Sequence, residues 1–135
     1  MNYSLSHIPE RTSQPRNNGL TMVMDKGLSL REAENFLSKA SRFVDIIKLG
    51  WATSYITENL QEKINLYHEH QIPVYFGGTL FEAFVVRNQF EDYLRVLDKF
   101  GLEYAEVSDG SITLPHEEKC NYISRLATRG KVLSE

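Results

Sequence analysis

Short apolar runs alternate with longer amphipathic segments along most of the chain. Patterns typical of buried strands begin near residues 20, 44, 73, 104 and 131. Between the first two of them, Ala33, Phe36, Leu37 and Ala40 recur at the i, i+3, i+4 and i+7 positions of a helix. Ser29 and Glu32 at its start match a capping box. The pattern predicts strand and helix units that repeat along the sequence.

The spacing of these strands predicts a parallel sheet. Their starts are 24, 29, 31 and 27 residues apart, which suits strands joined by helical crossovers. A (β/α)8 barrel of roughly 250 residues gives each unit about 31 residues. We therefore expect an α/β fold of the TIM-barrel type, with the first four βα units and the start of strand five. The alternative is an open doubly wound sheet, for which roughly 135 residues are adequate.

The amino-terminal segment follows neither period. We interpret residues 1–18 as an N-terminal arm and residues 19–135 as a partial barrel domain. A half barrel on its own leaves strand edges and one sheet face uncovered. We therefore expect a homo-oligomer, or a fragment that needs the missing barrel half.

Composition narrows the class of protein. The net charge of -3 gives no reason to expect a nucleic-acid partner, and 41% hydrophobic residues are enough for a core. The single cysteine, Cys120, cannot form an internal disulfide, and its helical position predicts a buried side chain. No segment resembles a signal peptide or a membrane span. We expect a cytoplasmic enzyme or binding protein.

Charged residues cluster where the strands end, which is where both candidate folds bind ligands. Lys48 and Glu106 each interrupt an apolar strand, and a buried charge needs a partner. We expect the two side chains to face each other, in an active site or as a structural ion pair. Asp25 and Asp109 follow the first and fourth strands close to glycines, so either could belong to the site or shape a turn.

The turn after the third strand has the composition of an anion site. Gly77, Gly78 and Thr79 precede a helical segment, and free backbone N–H groups at such a turn suit a phosphate. Thr79 and Glu82 also match a capping box, so we interpret Glu82 as a helix cap and leave it out of the site. Trp51, at the end of the second strand, either lines the pocket or packs beneath the loop.

Four ordered motifs give the chain a family resemblance. They are GLTMVMDKG at 19–27, DIIKLGWATS at 45–54, YFGGTLFE at 75–82 and EVSDG at 106–110. Together they resemble the phosphosulfolactate synthase family, and the likeness runs from about Pro15 to Glu135. The resemblance implies a (β/α)8 barrel that adds sulfite to phosphoenolpyruvate, with Mg²⁺, to give (2R)-phospho-3-sulfolactate.

The implied chemistry needs positive charge where an enediolate-like intermediate develops. Lysine supplies a point charge or a proton, and carboxylates hold the metal. The roles that follow by position are catalysis by Lys48 and Glu106, magnesium ligation, direct or through water, by Asp25, Glu106, Asp109 or Glu135, and substrate binding by Arg16, Gly77, Gly78 and Thr79.

Two other functions remain open on the sequence alone. Family members continue beyond a segment like the last four residues here, and relatives associated with heat stress share the motifs. The chain could therefore be a non-catalytic stress-related or partner-dependent half barrel. It could also be another phosphate-handling barrel enzyme that uses an enolate.

Overall fold

The computed structural model describes residues 3–135. Strands and helices alternate along these residues, except that two helices lie between the third and fourth strands, and short 3-10 turns occur at Ser41–Phe43 and Thr53–Tyr55. The elements are β1 Met22–Asp25, α1 Leu30–Ala40, β2 Ile46–Leu49, α2 Leu60–Glu69, β3 Val74–Phe76, α3 Gly78–Val85, α4 Phe90–Lys99, β4 Tyr104–Val107, α5 His116–Ala127 and β5 Lys131–Ser134. The strands predicted from sequence are confirmed, each with its start within two residues.

All strand pairing in the described part of the chain is parallel. β2 lies between β1 and β3, with Lys48 opposite Met24 on one side and opposite Tyr75 on the other. β4 pairs with β5, and Glu106 lies opposite Leu133. β4 also lies next to β3 without a ladder of hydrogen bonds between them.

One face of the strands carries the hydrophobic core. Side chains alternate between faces along a strand, and those that join the helices in the core are Ile47, Leu49, Val74, Phe76, Ala105 and Val107. The intervening residues Lys48, Tyr75 and Glu106 point to the other face. A doubly wound sheet needs helices on both faces. The observed one-sided packing is instead compatible with a partial (β/α) barrel.

Local signals fix the ends of several helices. Ser29 and Glu32 form the predicted capping box, because the Glu32 carboxylate accepts a 2.8 Å hydrogen bond from the Ser29 amide and the Ser29 hydroxyl accepts one from the Glu32 amide. Gly101 adopts a φ of 63° directly after α4, as expected of a glycine that ends a helix.

The helical part of the third unit differs from the prediction. The sequence pattern predicts one helix there, but the structure has α3 and α4 separated by a turn in which Asn88 adopts a φ of 55°. A left-handed residue cannot continue a right-handed helix, and asparagine tolerates this conformation better than most residues. The prediction of a single helix was therefore wrong.

The prediction that Cys120 is a core residue was also wrong. Cys120 is exposed on α5, with its sulfur 3.6 Å from the His116 Nε2 atom. Leu126 is the buried residue of this helix, and Tyr122 and Ile123 pack partly beside it. The face of α5 that packs on the core therefore carries Tyr122 and Leu126, and Cys120 lies outside it.

Residues 3–18 contain no helix or strand and run along the amino-terminal end of the sheet. Gln14 donates to the Val44 carbonyl oxygen at 2.5 Å, and Arg16 donates to Asp45 Oδ1 at 2.6 Å. These contacts fix the arm to the segment that enters β2. Within residues 3–135, none of the helices has the length and hydrophobicity needed to cross a bilayer.

Candidate active site

A cavity of about 330 Å³ opens where the strands end. It lies between the carboxyl ends of β2 and β4 and the start of α3, at the edge where parallel strands present their ligand-binding residues. Its lining residues are Met24, Lys48, Trp51, Gly78, Thr79, Glu82, Ser108, Gly110, Ser111 and Glu135. Residues from distant parts of the sequence therefore meet here.

Lys48, in the wall of this cavity, forms an ion pair with Glu106. Lys48 Nζ lies 2.7 Å from Glu106 Oε1, and the two residues are only 9% and 3% exposed. Lys48 Nζ also lies 3.3 Å from Glu135 Oε2, whose side chain is 70% exposed. The expectation that the two strand charges face each other is confirmed.

Lys48, Glu106 and Glu135 influence one another's pKa values. Burial opposes the charge of Lys48, but the hydrogen bond and the attraction of Glu106 outweigh it and raise the Lys48 pKa. Burial raises the Glu106 pKa, and a hydrogen bond shared with Glu135 adds to the effect, although Lys48 opposes it. That shared bond and Lys48 lower the Glu135 pKa. The ammonium group is therefore kept, and Glu106 is the carboxylate that more readily holds a proton.

The glycine turn brings the start of α3 against this pair. Gly78 N donates a 2.9 Å hydrogen bond to Glu106 Oε2. A Cβ atom on Gly78 would lie 2.3 Å from the Ser108 Cβ atom, so a larger residue cannot occupy the position without displacing β4 or α3. The Gly78 amide was predicted to contact a substrate anion, but it donates to the Glu106 carboxylate instead. Thr79 lines the cavity.

Glu82 belongs to the cavity, although the sequence pattern assigned it to a helix cap. α3 begins at Gly78 with Gly77 as its N-cap, and within residues 3–135 no side chain caps it. Glu82 is 3% exposed, and its Oε1 atom accepts bonds from Ser108 Oγ at 2.6 Å and from Ser111 N at 3.3 Å. The capping prediction was wrong. The missed signal was a charged residue among the apolar side chains of α3.

Asp25 is held on the helix side of the sheet, away from the cavity. Its Oδ1 atom accepts from the Gly27 and Leu28 amides at 2.8 and 2.7 Å. Its Oδ2 atom lies 2.8 Å from the Tyr67 hydroxyl and 2.6 Å from Lys63 Nζ. These four donors use the acceptor capacity of the carboxylate. The turn-shaping interpretation of Asp25 therefore fits the structure, and Lys63 was its unrecognised partner.

The other predicted metal ligands do not converge with Asp25. Asp109 Oδ1 lies 2.7 Å from Lys119 Nζ, and Lys119 also donates to the Glu135 carbonyl oxygen at 2.6 Å. Glu106 and Glu135 meet at Lys48, whereas Asp25 and Asp109 are paired elsewhere. No group of three or more His, Cys, Asp or Glu residues suited to a metal occurs within residues 3–135.

Arg16, the predicted substrate-binding arginine, lies at the amino-terminal end of β2. Its guanidinium pairs with Asp45 at 2.6 Å, and both side chains are almost fully buried. Burial opposes the charge of Asp45, but hydrogen bonds from the Thr21 amide and Arg16 outweigh it and lower the Asp45 pKa. Arg16 therefore anchors the arm at the end of the strand opposite the cavity.

Trp51 lines the cavity from the loop after β2, in agreement with the pocket-wall interpretation. It is 65% exposed, and both Trp51 and Ala52 adopt left-handed backbone conformations with φ near 56° and 55°. Such conformations are uncommon outside glycine and cluster at functional sites. The loop after β2 thus presents a large aromatic side chain at the cavity mouth.

Comparison with known proteins shows which family the chain is related to. The family model of (2R)-phospho-3-sulfolactate synthase (ComA) matches residues 9–135. The phosphosulfolactate synthase of Bacillus subtilis (strain 168) is 38% identical over 135 residues, which are 100% of this chain and 54% of that protein.

Two archaeal proteins show similar identity. The phosphosulfolactate synthase of Methanothermobacter thermautotrophicus is 37% identical over 94% of this chain and 50% of its own length. That of Methanocaldococcus jannaschii is 41% identical over 87% of this chain and 48% of its own length. The chain thus spans about half the length of the curated relatives it matches. Its sequence belongs to the (2R)-phospho-3-sulfolactate synthase (ComA) family.

Proposed function

We propose that this chain carries part of the active site of a phosphosulfolactate synthase-like lyase. The reaction joins sulfite to phosphoenolpyruvate and gives (2R)-phospho-3-sulfolactate. The observation that supports it best is the buried Lys48–Glu106 pair in the wall of an open cavity at the carboxyl ends of the strands. Buried charged pairs with perturbed pKa values in a cleft are typical of catalytic sites.

The side chains suit the charge changes of this reaction. The sulfur lone pair of sulfite forms a bond to the methylene carbon of phosphoenolpyruvate, and the double-bond electrons move onto the carboxylate. The resulting enediolate-like species takes a proton at C2. Lys48 provides positive charge for that electron density and then donates a proton to C2, which it regains from water. Glu106 orients the ammonium group through the 2.7 Å contact.

A magnesium requirement belongs to the same proposal. Mg²⁺ usually keeps several waters and binds one or two protein carboxylates together with substrate oxygens, so it does not need a preformed cluster. The cavity wall contains Glu82 and Glu135, with Glu106 next to Lys48, and these oxygen donors fit such an ion. When bound, Mg²⁺ would neutralise developing charge on substrate oxygens.

We further propose that the remaining βα units complete the barrel around this cavity, either within a longer chain or from a partner copy. Parallel sheets are stable when both faces are covered and their edges are paired. The face that carries Lys48 and Glu106 is the one that the helices leave open.

The test is sulfite consumption by the native protein that contains this sequence, with phosphoenolpyruvate and MgCl₂ supplied. Lys48→Ala and Glu106→Gln should each lower turnover by about 100-fold or more, the usual contribution of a positioned acid or base. Glu62→Gln on the exposed face of α2 is the matched control and should leave turnover unchanged. Near-normal turnover in Lys48→Ala would remove the lysine from the mechanism.

A non-catalytic role is the second candidate, and one observation favours it. Glu106 already accepts hydrogen bonds from both Lys48 and the Gly78 amide, which are the groups expected to bind an anion. Titration with inorganic phosphate and with phosphoenolpyruvate separates the two functions. An enzyme should bind phosphoenolpyruvate at millimolar concentration or below, whereas a structural relic should bind neither anion. Binding of phosphoenolpyruvate without sulfite consumption would indicate another enolate-type enzyme.

A further inference from the structure

One carboxylate oxygen of the cavity-lining residue Glu82 has unused bonding capacity. Glu82 Oε1 accepts two hydrogen bonds, but Glu82 Oε2 is buried and has no partner among residues 3–135. Nearly all buried polar atoms in proteins are paired, because an unpaired one loses its solvation without compensation. The Glu82 carboxylate, on a residue that lines the cavity, therefore has an acceptor position that no described protein group fills.

The charges around the cavity indicate which kind of group would occupy it. Glu82 and Glu135 both line the cavity, whereas Lys48 is the single cationic residue that the described chain contributes to its wall. Lys48 is already paired with a third carboxylate, Glu106. The described residues of the wall thus carry more negative than positive charge. A divalent cation bound among them would offset the repulsion that they exert on an anionic substrate.

The Glu82 carboxylate is also held in a fixed orientation. Ser108 and Ser111, in the segment that follows β4, donate to its Oε1 atom, and the Gly110 amide donates to Ser108 Oγ at 3.3 Å. Hydrogen bonds of this kind orient metal-binding carboxylates and strengthen metal binding. The two oxygens thus differ: Oε1 is bonded to protein groups, and Oε2 has no partner among the described residues.

We propose that Glu82, through Oε2, is a ligand for a hard divalent cation that brings the anionic substrate into the cavity. This assignment replaces Asp25 and Asp109, whose carboxylates are paired with lysines and which are not among the residues that line the cavity. It deepens the proposed function, because it rests on that function for the identity of the substrate. Cation binding itself can be measured without turnover.

The experiment is a titration with MnCl₂ that follows the signal of free Mn²⁺ by electron paramagnetic resonance, with and without inorganic phosphate. Glu82→Gln keeps the shape of the side chain but removes its charge. It should weaken Mn²⁺ binding at least about tenfold. Glu62→Gln, an exposed glutamine substitution on α2, is the matched control and should bind Mn²⁺ like the wild type.

Several outcomes would decide the proposal. Equal Mn²⁺ affinity in Glu82→Gln and wild type, or no binding to the wild type at millimolar Mn²⁺ with phosphate present, would overturn it. If Glu82→Gln does not fold by circular dichroism, Glu82→Asp replaces it. That variant should bind more weakly than wild type because its carboxylate is one methylene shorter, and equal binding overturns the proposal. Glu82-dependent Mn²⁺ binding without sulfite consumption would support this inference and reject the proposed reaction.

Discussion

Asp25 and Glu82 are both buried carboxylates near the carboxyl ends of the strands, but their surroundings differ. Each Asp25 oxygen has two donors, and one of those donors is the buried ammonium group of Lys63. Glu82 has two donors on Oε1 and, within residues 3–135, none on Oε2. One carboxylate is completely paired by the protein, whereas the other is paired on one side only.

This difference separates a structural role from a binding role. A carboxylate whose acceptor positions are filled stabilises the fold and has nothing left to offer a ligand. A carboxylate with an open position gains from a ligand what the protein does not supply. Both residues are buried carboxylates that follow closely on the carboxyl end of a strand, although Asp25 ends β1 and Glu82 lies on α3, so the pattern of hydrogen bonds has to make the distinction.

The largest effect is expected from Asp25→Asn. The substitution leaves Lys63 as a buried charge without its counterion, because the Lys63 side chain is only 2% exposed. Removing one partner of a buried pair typically costs roughly 3–5 kcal/mol. Urea unfolding should show a loss of this size in the free energy of unfolding.

The double variant Asp25→Asn with Lys63→Met checks the cause. Removing the unpaired charge should recover a substantial part of the lost stability, because an apolar residue replaces the buried ion. A loss below about 1 kcal/mol in Asp25→Asn alone would mean that the pair contributes no more than a surface salt bridge. Asp25 would then not differ from Glu82 in its contribution to stability.

Much of the fold could be predicted from sequence because strand positions depend on local apolar runs. The repeat of strands and the capping box of α1 are examples, and both were confirmed. The break between α3 and α4 could not be predicted in this way, since it depends on Asn88 in a left-handed conformation. The orientation of Cys120 failed because it depends on what α5 packs against.

The candidate site was only partly predictable. Lys48 and Glu106 stand out because each charge interrupts an apolar strand, and the structure brings them together. Asp25 was placed in the site because the sequence does not reveal that Lys63 on α2 reaches it. Glu82 was left out because a capping box explained it equally well. In both cases the deciding information is a contact between residues distant in sequence.

A smaller loss is expected from Gly78→Ala. The new Cβ atom would lie 2.3 Å from the Ser108 Cβ atom, so α3 or the end of β4 must shift. Overpacking of this kind usually costs about 1–3 kcal/mol. Thermal unfolding measures the loss, and Thr79→Ala serves as the control, expected within about 0.5 kcal/mol of wild type. Wild-type stability in Gly78→Ala would show that the two elements are not closely packed.

A pH-dependent effect is expected from Glu106→Gln. The Glu106 pKa is raised in the folded protein, by burial first, above its ordinary value of 4.5. The folded state therefore binds more protons than the unfolded state between 4.5 and the raised pKa, so Glu106 makes stability fall as the pH rises across that interval. Urea unfolding at several pH values should show that this slope is absent in the variant. An identical slope in both proteins would contradict the raised pKa.

The smallest effect on stability is expected from Glu82→Gln, and it completes the comparison with Asp25→Asn. The glutamine oxygen can still accept from Ser108 and Ser111, and an amide nitrogen replaces the unpartnered oxygen, so the change removes the negative charge but no bond that the described protein makes. The free energy of unfolding without added metal should stay within about 1 kcal/mol of wild type, or rise. Added Mn²⁺ should then stabilise the wild type more than the variant, because the folded wild type binds the ion more tightly. A loss as large as that of Asp25→Asn would show that Glu82 is paired within the fold and is a structural carboxylate too.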